Sequence, residues 1–220
     1  MACDSIEASL TSQRMDVFEV MGTCRAIRLL KPDPVPDELI DKLLWAATRA
    51  PSPGNSQGWD FVVVDDPAPK AEIAGAIRTA MAERVAAMPR TDRTTRLMLD
   101  GTAKMIDTLD LAPVIIFVTG PVIYPVSAPR EQFTWSALYP AAQNILLAAR
   151  ALGLGSVFTT MHMAADPTIR SVLGIPDHIK IAAMIPIGWP DASFGPVSRR
   201  PVEDFVHRNR WEGDKRGHGN

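Results

Sequence analysis

Three apolar runs limit most narrowly what this chain can fold into: DFVVVDD (60–66), PVIIFVTG (113–120) and IAAMIPIGWP (181–190). Each is short and bounded by charge, Gly or Pro. Each therefore reads as a strand, and the unbroken β-branched run at 60–66 reads as one buried on both faces. None is long enough to cross a membrane as a helix. A fourth stretch, SVFTT (156–160), has strand character too. Buried strands need covering layers, and the segments between them have helical patterns.

PDELIDKLLWAATR (36–49) starts with Pro36, puts Asp37 and Glu38 at the positive end of the helix dipole, and aligns Ile40, Leu43, Leu44 and Ala47 on one face. Helices are also expected over about 69–87 and 88–108. YPAAQNILLAARALG (139–153) aligns Ala142, Ile145, Leu146 and Ala149, with a kink or a start at Pro140 and a stop at Gly153. DPTIRSVLGIP (166–176) offers an Asp cap, Pro at the first position, and Gly then Pro past the end. The Pro-rich stretch 120–131 reads as a loop, and the polar tail from Ser193 carries no core of its own. This alternation gives one α/β or α+β domain.

With 23 basic and 25 acidic side chains, no basic excess marks a nucleic-acid partner. Residues 1–14 include Asp4 and Glu7 and lack the apolar centre of a secretory signal. Cys3 and Cys24 cannot make a disulfide framework, and no Cys/His cluster has metal-ligand spacing. No metal is expected, and a reducing cytoplasm is the simplest setting.

Candidate chemistry lies in a few short stretches. In TCRAIRLLKPDPVP (23–36), Arg25 and Arg28 stand three apart among apolar neighbours, and Arg199 and Arg200 form a second pair in VSRRP. Guanidinium forks suit phosphate oxygens, although solvated surface charges fit the same pattern. RAPSPGNSQGWDFVVV (49–64) runs from a helix end through a turn into a strand. Its Ser52, Asn55 and Gln57 either satisfy loop backbone or offer donors and acceptors to a planar ligand. In ALGLGSVFTTMH (151–162) the G-x-G follows a helix, so Gly153 reads as a cap and not as a dinucleotide fingerprint. His162 alone fits a structural role better than a catalytic one.

Taken in order, residues 24–64, YPAAQNILLAARALGLGSVFTT (139–160), and IPIGWP with GPVSRRPVEDFVHRNRW (185–190 and 195–211) resemble the FMN-dependent nitroreductase family. They match its N-terminal signature, its central helix and following strand, and its closing strand and arm. The resemblance runs over about residues 20–211. It implies an α+β, nitroreductase-like fold with a central, mainly antiparallel sheet flanked by helices, in an intertwined homodimer. A segment 1–15 would precede a single FMN-binding domain over 16–220, whose arm from about 193 embraces the partner.

The resemblance also implies a site. Arg25, Ala26 and Arg28 fall on the positions that bind the FMN phosphate, with Arg199 and its neighbour Arg200 reaching it from the tail. Pro51, Ser52, Pro53 and Asn55 would cover the flavin ring from the partner subunit, and Thr159, Thr160 and Met161 would approach the ring. Cys24 and Ala26 stand where many relatives carry Arg and Ser, and Gly58 where many carry Pro. Cys24 is either a reactive thiol or a small packed side chain.

The implied reaction passes hydride from NADH or NADPH through flavin N5 to an electron-poor acceptor such as a nitroaromatic or a quinone, and no catalytic side chain is assigned. The alternatives are reductive dehalogenation or flavin breakdown on the same scaffold, or a non-catalytic FMN store. Specificity is expected in 85–110 and 120–136, with Tyr124, Phe133 and Trp135 either as stacking walls or as packing.

Overall fold

The computed structural model describes residues 15–211 and Gly213. Cys3, the expected N-terminal segment as far as Arg14, and residues 212 and 214–220 of the expected arm lie outside the described residues. The elements run α1 (Val17–Thr23), α2 (Asp37–Ala47), β1 (Asp60–Val64), α3 (Pro67–Ala87), α4 (Arg93–Asp107), β2 (Val114–Gly120), α5 (Glu131–Ala151), β3 (Gly155–Ser156), α6 (Asp166–Leu173) and β4 (Lys180–Gly188). The strands form one antiparallel sheet in the order β1-β2-β4-β3. This is the mixed α/β architecture, with an antiparallel sheet between helices, that the sequence led us to expect.

The unbroken apolar run of β2 follows from its place in the sheet. Its side chains alternate between two cores, as strand geometry requires. Val114, Ile116 and Val118 pack with Leu43 of α2 and Ile145 of α5. Ile115 and Phe117 pack with Ile73 and Ile77 of α3, Ile106 of α4 and Ile169 of α6. A strand with a core on each side has no solvent face, so no polar alternation shows in its sequence.

Between the sheet and α3 lies one buried charge. Lys70 is 7 % exposed, and its Nζ donates to the carbonyls of Ala112 (3.0 Å) and Pro113 (2.9 Å). Burial pulls its ammonium below the ordinary lysine value, and Asp65, Asp66 and Asp110 oppose that pull. Lys70→Met keeps the stem and strips both carbonyls of their donor. Its expected cost is about 1–3 kcal/mol, read as a lower urea midpoint.

Several expectations need correction. β1 is not buried on both faces. Among the described residues it is an edge strand paired with β2 alone: Asp60 is exposed, Phe61–Val63 are half-buried and only Val64 is buried. It ends at Val64, and Asp66 instead caps α3 by accepting from the Ala68 amide.

α5 does not start at Pro140 but at Glu131, and runs through the proline. Burial of Thr134, Ala137 and Leu138 holds the extra turns, and the missing Pro140 N–H falls opposite exposed Ser136, whose carbonyl water can satisfy. The strand at 156–160 is reduced to β3 and an isolated bridge from Thr159 to Met184. The helix in 166–176 ends at Leu173 with left-handed Gly174 past its end, as expected, but Asp166 pairs with Arg170 at 2.7 Å instead of capping.

Candidate functional site

The site is built where the segment before α2 meets β3. Ile27 is buried, and its amide donates to the Ser156 carbonyl at 3.0 Å. Gly155 permits that approach, because a Cβ there would stand 2.8 Å from Ile27 Cγ2. The tail is pinned to the same segment by the Val197 amide, which donates to the Gly22 carbonyl at 2.8 Å. These two attachments bring residues from distant parts of the sequence to one surface.

Two adjacent hollows result, sharing Val157 and Phe158. One, of about 510 Å³, is lined by Arg25, Ala26 and Arg199 together with Cys24, Gln143 and Ser156. The other, of about 550 Å³, is lined by Arg28, Thr159, Thr160 and Met161, with Met81 and Arg84 of α3 and Thr102 and Met105 of α4. The two arginines of the CRAIR stretch therefore serve neighbouring hollows and not a single one.

Neither Arg25 nor Arg28 has a hydrogen-bond or ion-pair partner among the described residues. Burial, and after it the charge of Arg25, pulls the Arg28 guanidinium below its ordinary value. A half-buried, unmatched cation calls for an anion or for strong acceptors. Neutral donors stand beside it. The Thr159 hydroxyl accepts from the Met161 amide at 2.9 Å, which leaves its own hydrogen free among the described residues.

The remaining expected residues lie elsewhere. Arg200 stacks over the Phe205 ring at 4.5 Å and lines neither hollow. Pro51, Ser52, Pro53 and Asn55 also line neither. They form a tight loop in which the Ser52 hydroxyl accepts from the Gln57 amide at 2.9 Å, and Gly54, Asn55 and Gln57 all have positive φ. Tyr124 braces this loop: a Cβ on Gly54 would stand 2.3 Å from its ring, and the ring meets Phe133 edge-on at 5.4 Å. Trp135 stacks on Tyr139 at 5.8 Å.

Cys24 is a packed side chain. It is half-buried, its Sγ lies 3.6 Å from the Leu146 carbonyl, and burial pushes its thiol up despite the opposing charge of Arg150. Sequence reasoning did not single out Met81 or Arg84, although the helical spacing of Met81, Arg84 and Met88 marks one face of α3; Thr102 and Met105 fall in the 85–110 stretch expected to set specificity.

His162 is structural in its bonding. It is 3 % exposed, its Nε2–H donates to the Ile181 carbonyl at 3.1 Å, and its Nδ1 is buried without a partner among the described residues. Burial, helped by the charge of Arg170, holds its pKa below the ordinary value, outweighing the Ile181 carbonyl and Asp166. The sign follows from linkage. The unfolded chain takes up the proton at a higher pH, so this stability is present above about pH 6.5 and is lost as pH falls through the folded value. The melting temperature should drop on acidification from about pH 7.5 to about pH 5, and His162→Asn should flatten that slope.

The sequence model of the nitroreductase family matches residues 23–189. The chain is 32% identical over 207 residues to iodotyrosine deiodinase 1 of Rattus norvegicus, covering 91% of this chain and 72% of that protein. It is also 32% identical over 202 residues to a Methanothermobacter thermautotrophicus protein named as an NADH dehydrogenase/NAD(P)H nitroreductase, covering 90% and 89%. Among solved structures, a Desulfovibrio desulfuricans protein named as a nitroreductase and crystallised with FMN superposes with a TM-score of 0.67 at 25% identity, covering 90% of this chain and 99% of that one.

Proposed function

The chain belongs to the nitroreductase family, and we propose that it is an FMN-dependent oxidoreductase that uses NADH or NADPH to reduce electron-poor acceptors such as nitroaromatics or quinones. The observation that carries this is the pair of adjoining hollows. One offers the two guanidinium groups of Arg25 and Arg199, and the next offers Arg28 and the hydroxyl of Thr159. An elongated ligand with a phosphate at one end and a planar acceptor ring at the other fits that sequence of groups, and FMN is such a ligand. Arg25, Arg199 and the Ala26 amide would hold the phosphate; Arg28, Thr159, Thr160 and Met161 would hold the ring.

FMN supplies the hydride-transfer chemistry when bound. The protein's contribution is placement and electrostatics. Arg28, already partly desolvated, stabilises negative charge near it at low reorganisation cost. Met81 and Met105 would set apolar side chains against the ring. For a nitroaromatic the balance is ArNO₂ + NAD(P)H + H⁺ → ArNO + NAD(P)⁺ + H₂O, with the proton taken from solvent.

The functional unit is a homodimer in this reading. The loop of Pro51, Ser52, Pro53 and Asn55 points to that, since it lines neither hollow of its own chain. Exposed Phe18, Met21, Phe205 and Trp211 provide apolar surface for a partner. A single domain over 16–220, an arm from about 193 wrapping the partner, and a cytoplasmic setting with its NAD(P)H supply belong to the same proposal. Among the described residues no helix is long and apolar enough to cross a membrane.

Reductive dehalogenation is the second reading, favoured by the similarity to iodotyrosine deiodinase. Anaerobic turnover of a nitroaromatic, a quinone and an iodinated tyrosine, each with NADH and with NADPH, separates them. Faster reduction of the first two supports the main reading. Iodide release outpacing both would replace it with the second.

A further inference from the structure

FMN would occupy Arg28, but the same hollow holds a second cation that the proposed cofactor does not use. Met81, Arg84 and Met88 recur at i, i+3 and i+7, so one face of α3 and its cap is turned to the hollow. Of the other charged groups of that helix, Lys70 holds two carbonyls and Arg78 pairs with Asp110 at 3.3 Å, while Glu72 and Glu83, like Arg84, are solvent-exposed. Arg84 has no hydrogen bond or ion pair among the described residues. Among the described residues no acidic side chain lines the hollow, so one anion against Arg28 would still leave the charge of Arg84 unmatched.

Around Arg84 the walls are thioethers. Met81, Met88, Met105 and Met163 line the hollow along with it. Methionines adapt to flat ligands and make favourable sulfur–aromatic contacts. A soft wall beside an unmatched guanidinium suits a planar ring that carries an oxyanion.

We propose that Arg84 is a specificity residue whose guanidinium binds the carboxylate of an aromatic acceptor, so that the substrate class is electron-poor aromatic carboxylates. The proposal rests on the oxidoreductase reading above. It adds no chemical step: the carboxylate stays intact and only the ring's reducible group changes.

The test compares anionic and neutral ligands of one shape on the FMN-loaded protein. Benzoate against benzamide, titrated by the change in the flavin spectrum, reads binding without turnover. The kcat/KM values of 4-nitrobenzoate and 4-nitrobenzamide read it in catalysis. Wild type should favour the anion by about tenfold or more, the effect of one charge-assisted bond. Arg84→Gln should bring the ratio near unity, Arg84→Glu should invert it, and Arg84→Lys should restore part of it.

A ratio that survives Arg84→Gln overturns the proposal, as does wild type showing no anion preference. So does a loss confined to NADPH relative to NADH, which would assign Arg84 to the phosphate of the donor. If neither nitro compound turns over, the oxidoreductase reading fails, and the benzoate-to-benzamide ratio still decides whether the anion subsite exists.

Discussion

Arg25→Ala combined with Arg199→Ala will leave the protein unable to keep FMN through purification. Both side chains line one hollow, one from the segment before α2 and the other from the tail, and neither has an acidic partner among the described residues. Among the described residues, Arg199 bonds only to the neighbouring Ser198 carbonyl, at 2.8 Å. Each guanidinium lost from a phosphate dianion costs about 1.5–3 kcal/mol, so the pair costs about 3–6 kcal/mol, or roughly a hundred- to ten-thousandfold in affinity. Arg200→Ala provides the contrast. Arg200 rests on Phe205 outside the hollow, and its loss should shift the FMN dissociation constant far less. Fluorescence titration with FMN gives the constants of wild type, the double variant and the single Arg199→Ala and Arg200→Ala variants. Equal effects of Arg199→Ala and Arg200→Ala would remove the phosphate assignment.

Phe117→Ala should be among the most destabilising single changes in the chain, at about 3–5 kcal/mol. Phe117 is fully buried in β2, opposite Val62 of β1 and Met184 of β4. It packs in the core that joins Ile73 and Ile77 of α3, Leu99 and Ile106 of α4, and Ile169 of α6. Most residues of that core are branched aliphatics that refill little of the space its ring leaves, so the loss includes a cavity as well as transfer. The consequence reaches the site, because α3 and α4 carry the outer wall of the Arg28 hollow on this core. A urea midpoint should fall accordingly, whereas Val126→Ala, 89 % exposed, should move it by less than about 0.5 kcal/mol. A Phe117→Ala protein with wild-type stability would mean that this core is not assembled as described.

What could be read from the chain alone divides along the line between local and long-range causes. β2 and β4 were legible because a strand with cores on both sides must be apolar throughout. The exposure of β1 was not, since edge position is a property of the whole sheet and its valines look the same in either place. Pro140 suggested a helix start from local chemistry, but burial of Ala137 and Leu138 against distant elements decided the matter. The site divides in the same way. Residue type left Arg25, Arg28, Arg199 and Arg200 open between anion binders and surface charges, and the family resemblance pointed them to a phosphate. The distribution of the first three over two hollows depends on contacts to Gly155 and Gly22 that no local pattern encodes. Arg84 was hidden for a similar reason: only the packing of α3 shows which of its charges faces the cavity.

The most direct measurement is the visible spectrum of the purified protein, supplied with FMN and titrated anaerobically with NADH and then NADPH. Bound-flavin bands that bleach with either donor, and return on addition of a nitroaromatic or a quinone, are the expected result. A protein that takes up no flavin contradicts the reading of both hollows, and one that holds flavin without bleaching contradicts the proposed activity.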